Sequence, residues 1–369
     1  MKTVVILPTY NERDNIETLL KGIAIVWRGI KHHKLSILVV DDNSPDGTAD
    51  VVRKFQQTHP NVLLITGKKE GLGSALLRGI SYALDILHAE IIVQMDADLS
   101  HDPNSLPGFM QGMDKGADFA VGSRYIPGGS IPENWGLNRK IYSVIGNAFV
   151  RFGLGYTAVH DWTGGYRAYR REFAEKFRKD MAKYQGYLFQ IAYLHKSLGG
   201  GAKIVEVPIH FSDRRFGHSK IAPSQYIRDI LRYVASERLK EIIHGSFGKF
   251  LVVGTIGFII NTILLEVMVR VGFHPAVGSG VGAELAIISN FFLNNSWTFG
   301  SRKVRGLRAV AKFFQFNLTS LGAVIIQAGT VWIGSMLIGV SSYRWFYILG
   351  VGIGLVWNYT MYSKVIWRK

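Results

Sequence analysis

Residues 91–101, IIVQMDADLSH, form a short apolar run that ends in two carboxylates. Such a run is typical of a buried strand, and alternate residues of a strand point to the same side. Asp96 and Asp98 therefore present their charges together where the strand ends. Two neighbouring carboxylates repel each other unless a cation lies between them, and oxygen ligands favour Mg²⁺ or Mn²⁺, which commonly also hold substrate phosphates. Taken alone, the pattern also fits a solvated turn in which Asp98 caps a helix.

The 369 residues fall into two regions of different composition. Residues 1–245 alternate polar and apolar stretches, whereas residues 247–366 consist mainly of long apolar runs. A chain of this length accommodates about two domains. Because the chain has no cysteine, a disulfide framework and a thiolate metal site are excluded. No secretory signal follows the first residues, so we expect the N-terminal domain to stay in the cytoplasm.

The chain carries a formal net charge of +16. Such a charge is typical of proteins that bind nucleic acid, a membrane surface or an anionic substrate. We find no basic helix with base-reading spacing and no zinc knuckle, and many of the cations flank apolar runs. The charge therefore indicates a lipid bilayer and phosphate groups as partners, and no nucleic acid.

Four apolar segments of the second region are each long enough to cross about 30 Å of hydrocarbon as a helix. These segments are residues 250–269, 277–293, 313–338 and 345–365. The basic loop at 301–312 lies between the second and third segments. The positive-inside rule then places this loop, the N-terminal domain and the C-terminus in the cytoplasm, which predicts an integral, multi-pass membrane protein. A buried helical core is the alternative.

Residues 224–244 place apolar side chains mostly on one stripe of a helix and cations opposite them. This pattern predicts one or two amphipathic helices in the membrane interface, while packing on the soluble domain is the alternative for part of the segment. The expected domains are then a cytoplasmic domain at 1–222, interfacial helices at 223–246 and a membrane domain at 247–369.

The first region alternates short apolar strands with helical stretches, which predicts an α/β domain with a mostly parallel sheet. The predicted strands are 4–7, 36–40, 62–65, 91–95, 119–122 and 204–211. In such sheets ligands bind at the carboxyl ends of the strands, where the strand order changes direction. Polar clusters follow the first, second and fourth strands, at residues 8–12, 41–44 and 96–98. We therefore expect the three clusters to form one site.

Seven blocks within residues 1–220 carry a specific pattern. They are LPTYNER (7–13), VDDNSPDGT (40–48), MDADLSHDP (95–103), GSRY (122–125), NRK (138–140), DWTGGYR (161–167) and DRRFGHSK (213–220). In this order they resemble the family 2 glycosyltransferases with an α/β, Rossmann-like GT-A fold, and among these the dolichol-phosphate (polyprenol-phosphate) mannose synthases. The apolar tail, with NFFLNNSWTF at 290–299, resembles GtrA-like domains of four transmembrane helices.

The resemblance implies a pocket for a sugar nucleotide. Its residues would be Pro8, Tyr10, Glu12, Val40, Asp42, Asp96, Ala97, Asp98, Arg124, Arg214 and Lys220. Tyr10 would stack on the base, and Asp42 would accept a hydrogen bond from a guanine N–H. Asp96 and Asp98 would hold Mg²⁺ or Mn²⁺. Whether Ser100 is a third ligand is left open by the resemblance.

The resemblance also implies an acceptor site, in which Arg124, Arg139 and Ser143 bind a lipid phosphate. Guanidinium groups suit this role because they bind phosphate through two parallel hydrogen bonds, although each arginine alone could be a surface cation. The implied catalytic residues are Asp98, Arg124 and Arg214, and Arg214 and Lys220 would neutralise the leaving diphosphate. A lipid phosphate is ionised at neutral pH, so its attack needs no general base.

The expected reaction is transfer of mannose from GDP-mannose to dolichyl (polyprenyl) phosphate with inversion, which yields dolichyl β-D-mannosyl phosphate for glycan assembly. One alternative is the same reaction type with UDP-glucose or another sugar nucleotide. A second alternative is a membrane domain that also flips the glycolipid. Glu284 motivates this idea, because it lies near the middle of the second apolar segment, where a charge is costly and often functional. A hydrogen bond between helices is the plainer explanation of Glu284.

Overall fold

A computed structural model describes residues 1–213, 223–339 and 343–368 of the protein. The chain divides into two compact units, Met1–Ser236 and Glu237–Lys369. Two of the predicted donor-site residues, Arg214 and Lys220, lie outside the described residues. Their assignments therefore stay predictions from the sequence.

The described part of the first unit is built on a seven-stranded sheet in the order β3-β2-β1-β4-β6-β5-β7. The strands are β1 (Lys2–Thr9), β2 (Lys34–Asp41), β3 (Val62–Thr66), β4 (Ile91–Gln94), β5 (Phe119–Ser123), β6 (Arg167–Arg170) and β7 (Ile204–Pro208). β6 runs antiparallel to both of its neighbours, and all other pairs are parallel. The predicted α/β domain with a mostly parallel sheet is confirmed.

The sequence-based strand assignment missed β6 and made β7 three residues too long. β6 reads RAYR, so it shows neither an apolar run nor a clean alternation of polar and apolar residues. Three of its four residues are nevertheless buried, because β6 lies between β4 and β5. Burial by neighbouring strands, and not local pattern, defines this strand.

Helices cover both faces of the sheet. They are α1 (Arg13–Trp27), α2 (Thr48–Gln56), α3 (Leu72–Asp85), α4 (Leu106–Asp114), α5 (Leu137–Gly153), α6 (Arg171–Met181), α7 (Gly186–Gly199) and α8 (Pro223–His244). Alternate residues of β1 enter different cores: Val5 and Leu7 pack with α1 and α4, whereas Val4 and Ile6 pack with α3 and α7. A strand covered on both faces favours an unbroken apolar run, as residues 4–7 of β1 provide.

The sheet brings the predicted polar clusters to one edge. Thr9, the last residue of β1, is in register with Asp41, the last residue of β2. On the other side of β1, Gln94 at the end of β4 pairs with Ile6, so the residues after β4 begin level with the end of β1. The strand order changes direction between β1 and β4, and this is where such sheets form a ligand crevice.

The segment of α8 around residues 230–234 packs on the first unit. Ile230, Tyr233 and Val234 are buried in the core of that unit, as in the alternative of packing on the soluble domain. The first unit ends at Ser236, and after this residue the apolar side chains Leu239 and Ile242 of α8 are exposed. The two halves of α8 therefore have different surroundings.

The second unit contains a helix at each predicted apolar segment. These helices are α9 (Ser246–Arg270), α10 (Pro275–Leu293), α11 (Leu307–Ile338) and α12 (Tyr343–Met361). Among the described residues, α9 and α11 are long and apolar enough to cross a membrane, by length and composition. A cluster of aromatic side chains, including Phe299 and Trp367 with ring centroids 4.7 Å apart, forms the core of this unit. Glu284 lies in α10 and is exposed.

Candidate active site

The loops that follow β1 and β2 are bound to each other. The Thr9 hydroxyl donates to Asp41 Oδ1 (2.9 Å), and the Glu12 backbone N–H donates to the Thr48 hydroxyl (3.0 Å). These contacts join segments more than 30 residues apart in sequence. They place Tyr10 and Glu12 beside the end of β2.

The predicted nucleotide residues lie together at this edge. Pro8 pairs in register with Val40 on neighbouring strands, one residue before each strand ends. Asp42 follows directly, and its backbone N–H donates to the Thr9 carbonyl (3.0 Å). The structure thus brings five predicted donor residues, Pro8, Tyr10, Glu12, Val40 and Asp42, to one edge.

Two cations that sequence reasoning missed complete this region. Arg78 of α3 pairs with Asp42, whose side chain is 7% exposed. The Lys69 ammonium lies 3.5 Å from the centre of the Tyr10 ring. Burial raises the pKa of Asp42, and the neighbouring Arg78 guanidinium only partly offsets this effect. No motif pointed to Arg78 or Lys69, because their partners lie 36 and 59 residues away in sequence.

The Asp96–Asp98 turn is held by its own hydrogen bonds. The backbone N–H of Asp96 donates to His101 Nδ1 (2.9 Å), and both the N–H and the hydroxyl of Ser100 donate to Asp98 Oδ1 (3.1 and 2.6 Å). Leu99 between them adopts a left-handed conformation, with φ of +63°. Asp98 and Ala97 are buried, whereas the Asp96 side chain is one-third exposed, at 33%. The turn therefore fixes the Asp98 carboxylate and the backbone of Asp96 at the end of β4.

These residues fit a divalent cation by their chemistry. Asp96 and Asp98 provide only oxygen donors, which Mg²⁺ and Mn²⁺ prefer. Gly165 lies beside Asp96: a Cβ there would be in van der Waals contact with both carboxylate oxygens, at 3.5 Å. Across the described ranges, no group of three or more His, Cys, Asp or Glu residues could hold a metal. The Ser100 hydroxyl donates to Asp98, and its role as a third ligand stays a prediction.

Arg124, which follows β5, is bound by a buried carboxylate. Its Nε donates to Asp161 Oδ2 (2.7 Å) and its Nη2 to Asp161 Oδ1 (2.8 Å), and Nη2 also donates to the Thr163 hydroxyl (2.8 Å). The Arg124 side chain is 8% exposed and that of Asp161 is fully buried. Burial by itself raises the pKa of Asp161, but the adjacent guanidinium outweighs it, so the pKa is lowered. Two of the three guanidinium nitrogens are thus occupied within the protein.

The network around Arg124 continues into α5. The Ser143 hydroxyl lies 2.5 Å from the Tyr125 hydroxyl. The Asn147 amide donates to the Ser143 carbonyl (2.8 Å) and the Thr163 hydroxyl (3.3 Å), and its oxygen accepts from the Trp162 N–H (2.7 Å). The structure therefore brings Ser143 and Arg124 together, as predicted for two acceptor-site residues.

Arg139 lies at the outer side of this region. Its Nη1 donates to Asp213 (3.1 Å), its guanidinium lies 3.9 Å from the Trp135 ring centre, and its side chain is 53% exposed. Asp213 directly precedes residues 214–222, which lie outside the described residues and include Arg214. Arg139 is therefore close to the start of the DRRFGHSK block.

Arg167 of β6 holds the loop at 161–165 in place. Its fully buried guanidinium donates to the carbonyls of Gly164 (2.8 Å), Trp162 (2.9 Å) and Gln190. Burial lowers the pKa of Arg167 to about 10. Arg167 belongs to the DWTGGYR block, which the sequence pattern singled out without a role for this residue. Asp161 of the same block was likewise missed as the partner of Arg124.

Comparisons with known proteins match both units. Residues 4–178 match the model of glycosyl transferase family 2, and residues 249–367 match the GtrA/DPMS transmembrane domain. The polyprenol monophosphomannose synthase of Mycolicibacterium smegmatis is 41% identical over 63% of this chain and 86% of its own. The dolichol-phosphate mannosyltransferase of Pyrococcus furiosus is 31% identical over 100% of this chain and 99% of its own.

A solved structure also aligns along most of the chain. The mannosyltransferase PcManGT from Pyrobaculum calidifontis, in complex with GDP-Man and Mn²⁺, is 17% identical, with 97% of this chain and 86% of that chain covered and a TM-score of 0.41. The relative from Pyrococcus furiosus matches this chain from end to end at 31% identity. The chain therefore belongs to glycosyl transferase family 2, with a GT-A domain followed by a GtrA/DPMS transmembrane domain.

Proposed function

We propose that the protein transfers mannose from GDP-mannose to dolichyl or another polyprenyl phosphate with inversion, which yields the β-D-mannosyl phosphate. One observation carries the proposal: the loop at 161–165 connects a carboxylate pair with an arginine–serine cluster. At one end Gly165 faces Asp96, and at the other Asp161 and Thr163 bind Arg124. A donor diphosphate and an acceptor phosphate bound at these two places would meet across this loop. The names of the two relatives support mannose and a polyprenol phosphate as substrates.

The donor would bind at the ends of β1, β2 and β4. Tyr10 offers a ring for the base, and Asp42 a buried carboxylate for its N–H groups. Asp96 and Asp98 would hold Mg²⁺ or Mn²⁺, which supplies positive charge to the diphosphate. Arg214 and Lys220, outside the described residues, complete the proposal as cations on the leaving group.

The acceptor phosphate would bind between Arg124 and α5. Nε and Nη2 of Arg124 are occupied by Asp161, so we assign the phosphate to Nη1, together with the Ser143 hydroxyl and Arg139. The same helix exposes large apolar side chains next to Ser143. They include Ile141, Tyr142, Ile145, Phe149 and Phe152, which are 40–68% exposed. An exposed apolar face beside a phosphate site supports a lipid phosphate, because such faces occur where a protein meets a membrane.

The chemistry follows from the charges. The acceptor phosphate is already ionised, so its oxygen attacks the anomeric carbon of mannose without a general base. The bond between that carbon and the diphosphate oxygen breaks, and GDP leaves. The cations around the diphosphate stabilise the charge that develops on it. A single displacement turns the α-linked donor into a β-linked product.

The membrane arrangement is part of the proposal. We propose domains at 1–222, 223–246 and 247–369, four membrane spans, and a catalytic domain and C-terminus on the cytoplasmic side. The basic loop at 301–312 between α10 and α11 supports this orientation. The matched GtrA/DPMS transmembrane domain supports the location in a membrane.

A transfer assay on the purified full-length protein in detergent tests the proposal. The panel combines GDP-mannose or UDP-glucose with dolichyl phosphate, in Mg²⁺, Mn²⁺ or EDTA. We expect mannosyl transfer with either cation, no transfer in EDTA, and a β-linkage by NMR of the product. Absence of transfer with every divalent cation would refute the proposal. Preference for UDP-glucose would replace the donor and retain the acceptor class.

A further inference from the structure

We infer that Arg78 determines the base specificity of the donor site by fixing the Asp42 carboxylate in the orientation that receives the base N–H groups. The inference rests on the proposed function for the location of the nucleotide pocket. It goes further in assigning base discrimination to a residue of α3 that lies outside all seven sequence blocks. Arg78 would act through Asp42 and is therefore a positioning residue.

The contacts define which oxygen Arg78 occupies. Its Nη2 pairs with Asp42 Oδ1, and its Nη1 donates to the Lys68 carbonyl (3.4 Å). The Asp42 backbone is fixed separately, by its N–H bond to the Thr9 carbonyl (3.0 Å). With the backbone and Oδ1 both held, Asp42 Oδ2 is the oxygen that we assign to the base.

Gly67 allows the guanidinium of Arg78 to take this position. A Cβ at Gly67 would overlap the Nη1, Cζ and Nε atoms of Arg78. The buried Nε has no hydrogen-bond acceptor within the described parts of the chain. An unpaired buried donor is costly, so local stability alone does not favour this placement. In exchange, the guanidinium gains its pair with Asp42 and a long hydrogen bond to the Lys68 carbonyl (3.4 Å).

Arg78 also keeps Asp42 in the form that accepts hydrogen bonds. Burial raises the pKa of Asp42 and Asp41 adds to this, whereas Arg78 and Lys69 lower it. An ionised carboxylate only accepts hydrogen bonds, whereas a protonated one also donates. Guanine presents two adjacent donors, N1–H and the 2-amino group, and we assign both to Asp42 Oδ2, whose two lone pairs accept one hydrogen bond each. Inosine lacks the 2-amino group, so the preference for guanine over inosine measures this contact.

The test measures binding of GDP and IDP to the full-length protein with Mn²⁺ by calorimetry. For the wild type we expect GDP to bind about tenfold more tightly than IDP, since a hydrogen bond to a charged group has about this effect. Arg78→Gln should weaken GDP binding about 10- to 100-fold and make the affinities for GDP and IDP nearly equal. Asp42→Asn should have the same two effects. Arg53→Gln is the matched control, because Arg53 pairs with Asp50 on the surface, with 59% and 79% exposure.

Equal weakening of GDP and IDP in Arg78→Gln would overturn the inference, because it would show that Arg78 only supports the local structure. Gly67→Ala is a second variant that displaces the guanidinium and retains its charge, and it should lower the ratio of GDP to IDP affinity. Wild-type preference for UDP over GDP would refute the proposed donor instead. In that case, the preference of the protein for UDP over N3-methyl-UDP tests the role of Arg78. Loss of this preference in Arg78→Gln would support the inference, and an unchanged preference would overturn it.

The pH dependence gives an independent readout. The charged groups that face Asp42 are Arg78 from α3, Lys69 from the loop before α3, and Asp41 from β2. GDP binding should weaken as the pH falls through the raised pKa of Asp42, and removal of the Arg78 charge should move this weakening to higher pH. An unchanged pH profile in Arg78→Gln would contradict the inference.

Discussion

The proposed donor and acceptor halves of the candidate site each contain an ion pair, Arg78–Asp42 and Arg124–Asp161, but they differ in what surrounds it. The proposed donor half, at the ends of β1, β2 and β4, is further fixed by hydrogen bonds between side chains and backbone, both within one turn and between neighbouring loops. The Thr48 hydroxyl binds the Glu12 N–H, and Ser100 binds Asp98. In the proposed acceptor half the ion pair is more deeply buried, and it lies beside an exposed apolar helix face.

Under the proposed function, the difference reflects the different demands that a nucleotide donor and a lipid phosphate acceptor would place on one sheet. A soluble, highly charged nucleotide needs many preformed polar contacts, and parallel strand ends supply these together. A lipid phosphate needs a small cationic site next to an apolar surface. The Arg124–Asp161 pair supplies charge in a buried position, while α5 supplies the apolar surface. Three substitutions test this division.

The largest effect is expected at the donor half. Asp98→Ala removes a carboxylate of the proposed cation site, and we expect transfer activity to fall at least about 10³-fold, since charge stabilisation on the leaving group is lost. The transfer assay with GDP-mannose and dolichyl phosphate measures this. Asp50→Ala, at an exposed carboxylate of α2, is the control and should retain full activity. Substantial activity in Asp98→Ala would show that Asp98 does not hold the cation.

A large effect on stability is expected at the acceptor half. Asp161→Asn leaves the buried Arg124 charge without its carboxylate, which should cost about 3–5 kcal/mol in the free energy of unfolding. Denaturant unfolding followed by tryptophan fluorescence measures the change. Asp85→Asn is the control, because Asp85 pairs with Arg178 near the surface, where such pairs contribute about 0–1 kcal/mol. Similar losses of unfolding free energy in both variants would contradict the expected difference between the buried pair and the surface pair.

The same pair predicts a pH dependence. The pKa of Asp161 is lowered in the folded protein, so its contribution to stability is present above about pH 4, the ordinary carboxyl range. This contribution is lost as the pH falls through the lowered pKa. Between pH 5 and 3, the free energy of unfolding of the Asp161→Asn variant should therefore fall less than that of the wild type. The difference should be about as large as the contribution of the Asp161 charge.

The smallest effect is expected on the apolar face of α5. Ile145→Ser should raise the KM for dolichyl phosphate about three- to tenfold, because Ile145 is 61% exposed where we propose that the lipid enters. GDP affinity should stay unchanged, which separates the two halves. Ile86→Ser removes an isoleucine that is 58% exposed elsewhere on the first unit and should leave both values as they are. An unchanged KM in Ile145→Ser would exclude this face as the lipid contact.

The donor half was the more predictable part from sequence. Apolar runs followed by polar residues identified β1, β2 and β4, and parallel strands necessarily bring their carboxyl ends together. The register of Thr9 with Asp41 confirms this expectation. The helices of the second unit were likewise predictable, since each contains a long run of apolar residues.

The acceptor half was less predictable because its contacts are distant in sequence. Arg124 and Asp161 are 37 residues apart, and neither local pattern indicates the other. In the proposed donor half, the partnership of Arg78 with Asp42, 36 residues away in sequence, was missed for the same reason. β6, which carries Arg167 between two central strands, has no apolar run by which it could be recognised.

The sequence by itself determined the α/β layout, the polar strand ends with Asp96 and Asp98, and the apolar helices of the second unit. These properties follow from local periodicity and hydrophobicity, which act over a few residues. Only the tertiary structure decided which charges pair: Arg124 with Asp161, and Arg78 with Asp42. The physical reason is that a buried charge takes the partner that the packed strands and helices bring within about 3 Å, and that neighbour is not encoded in either local segment.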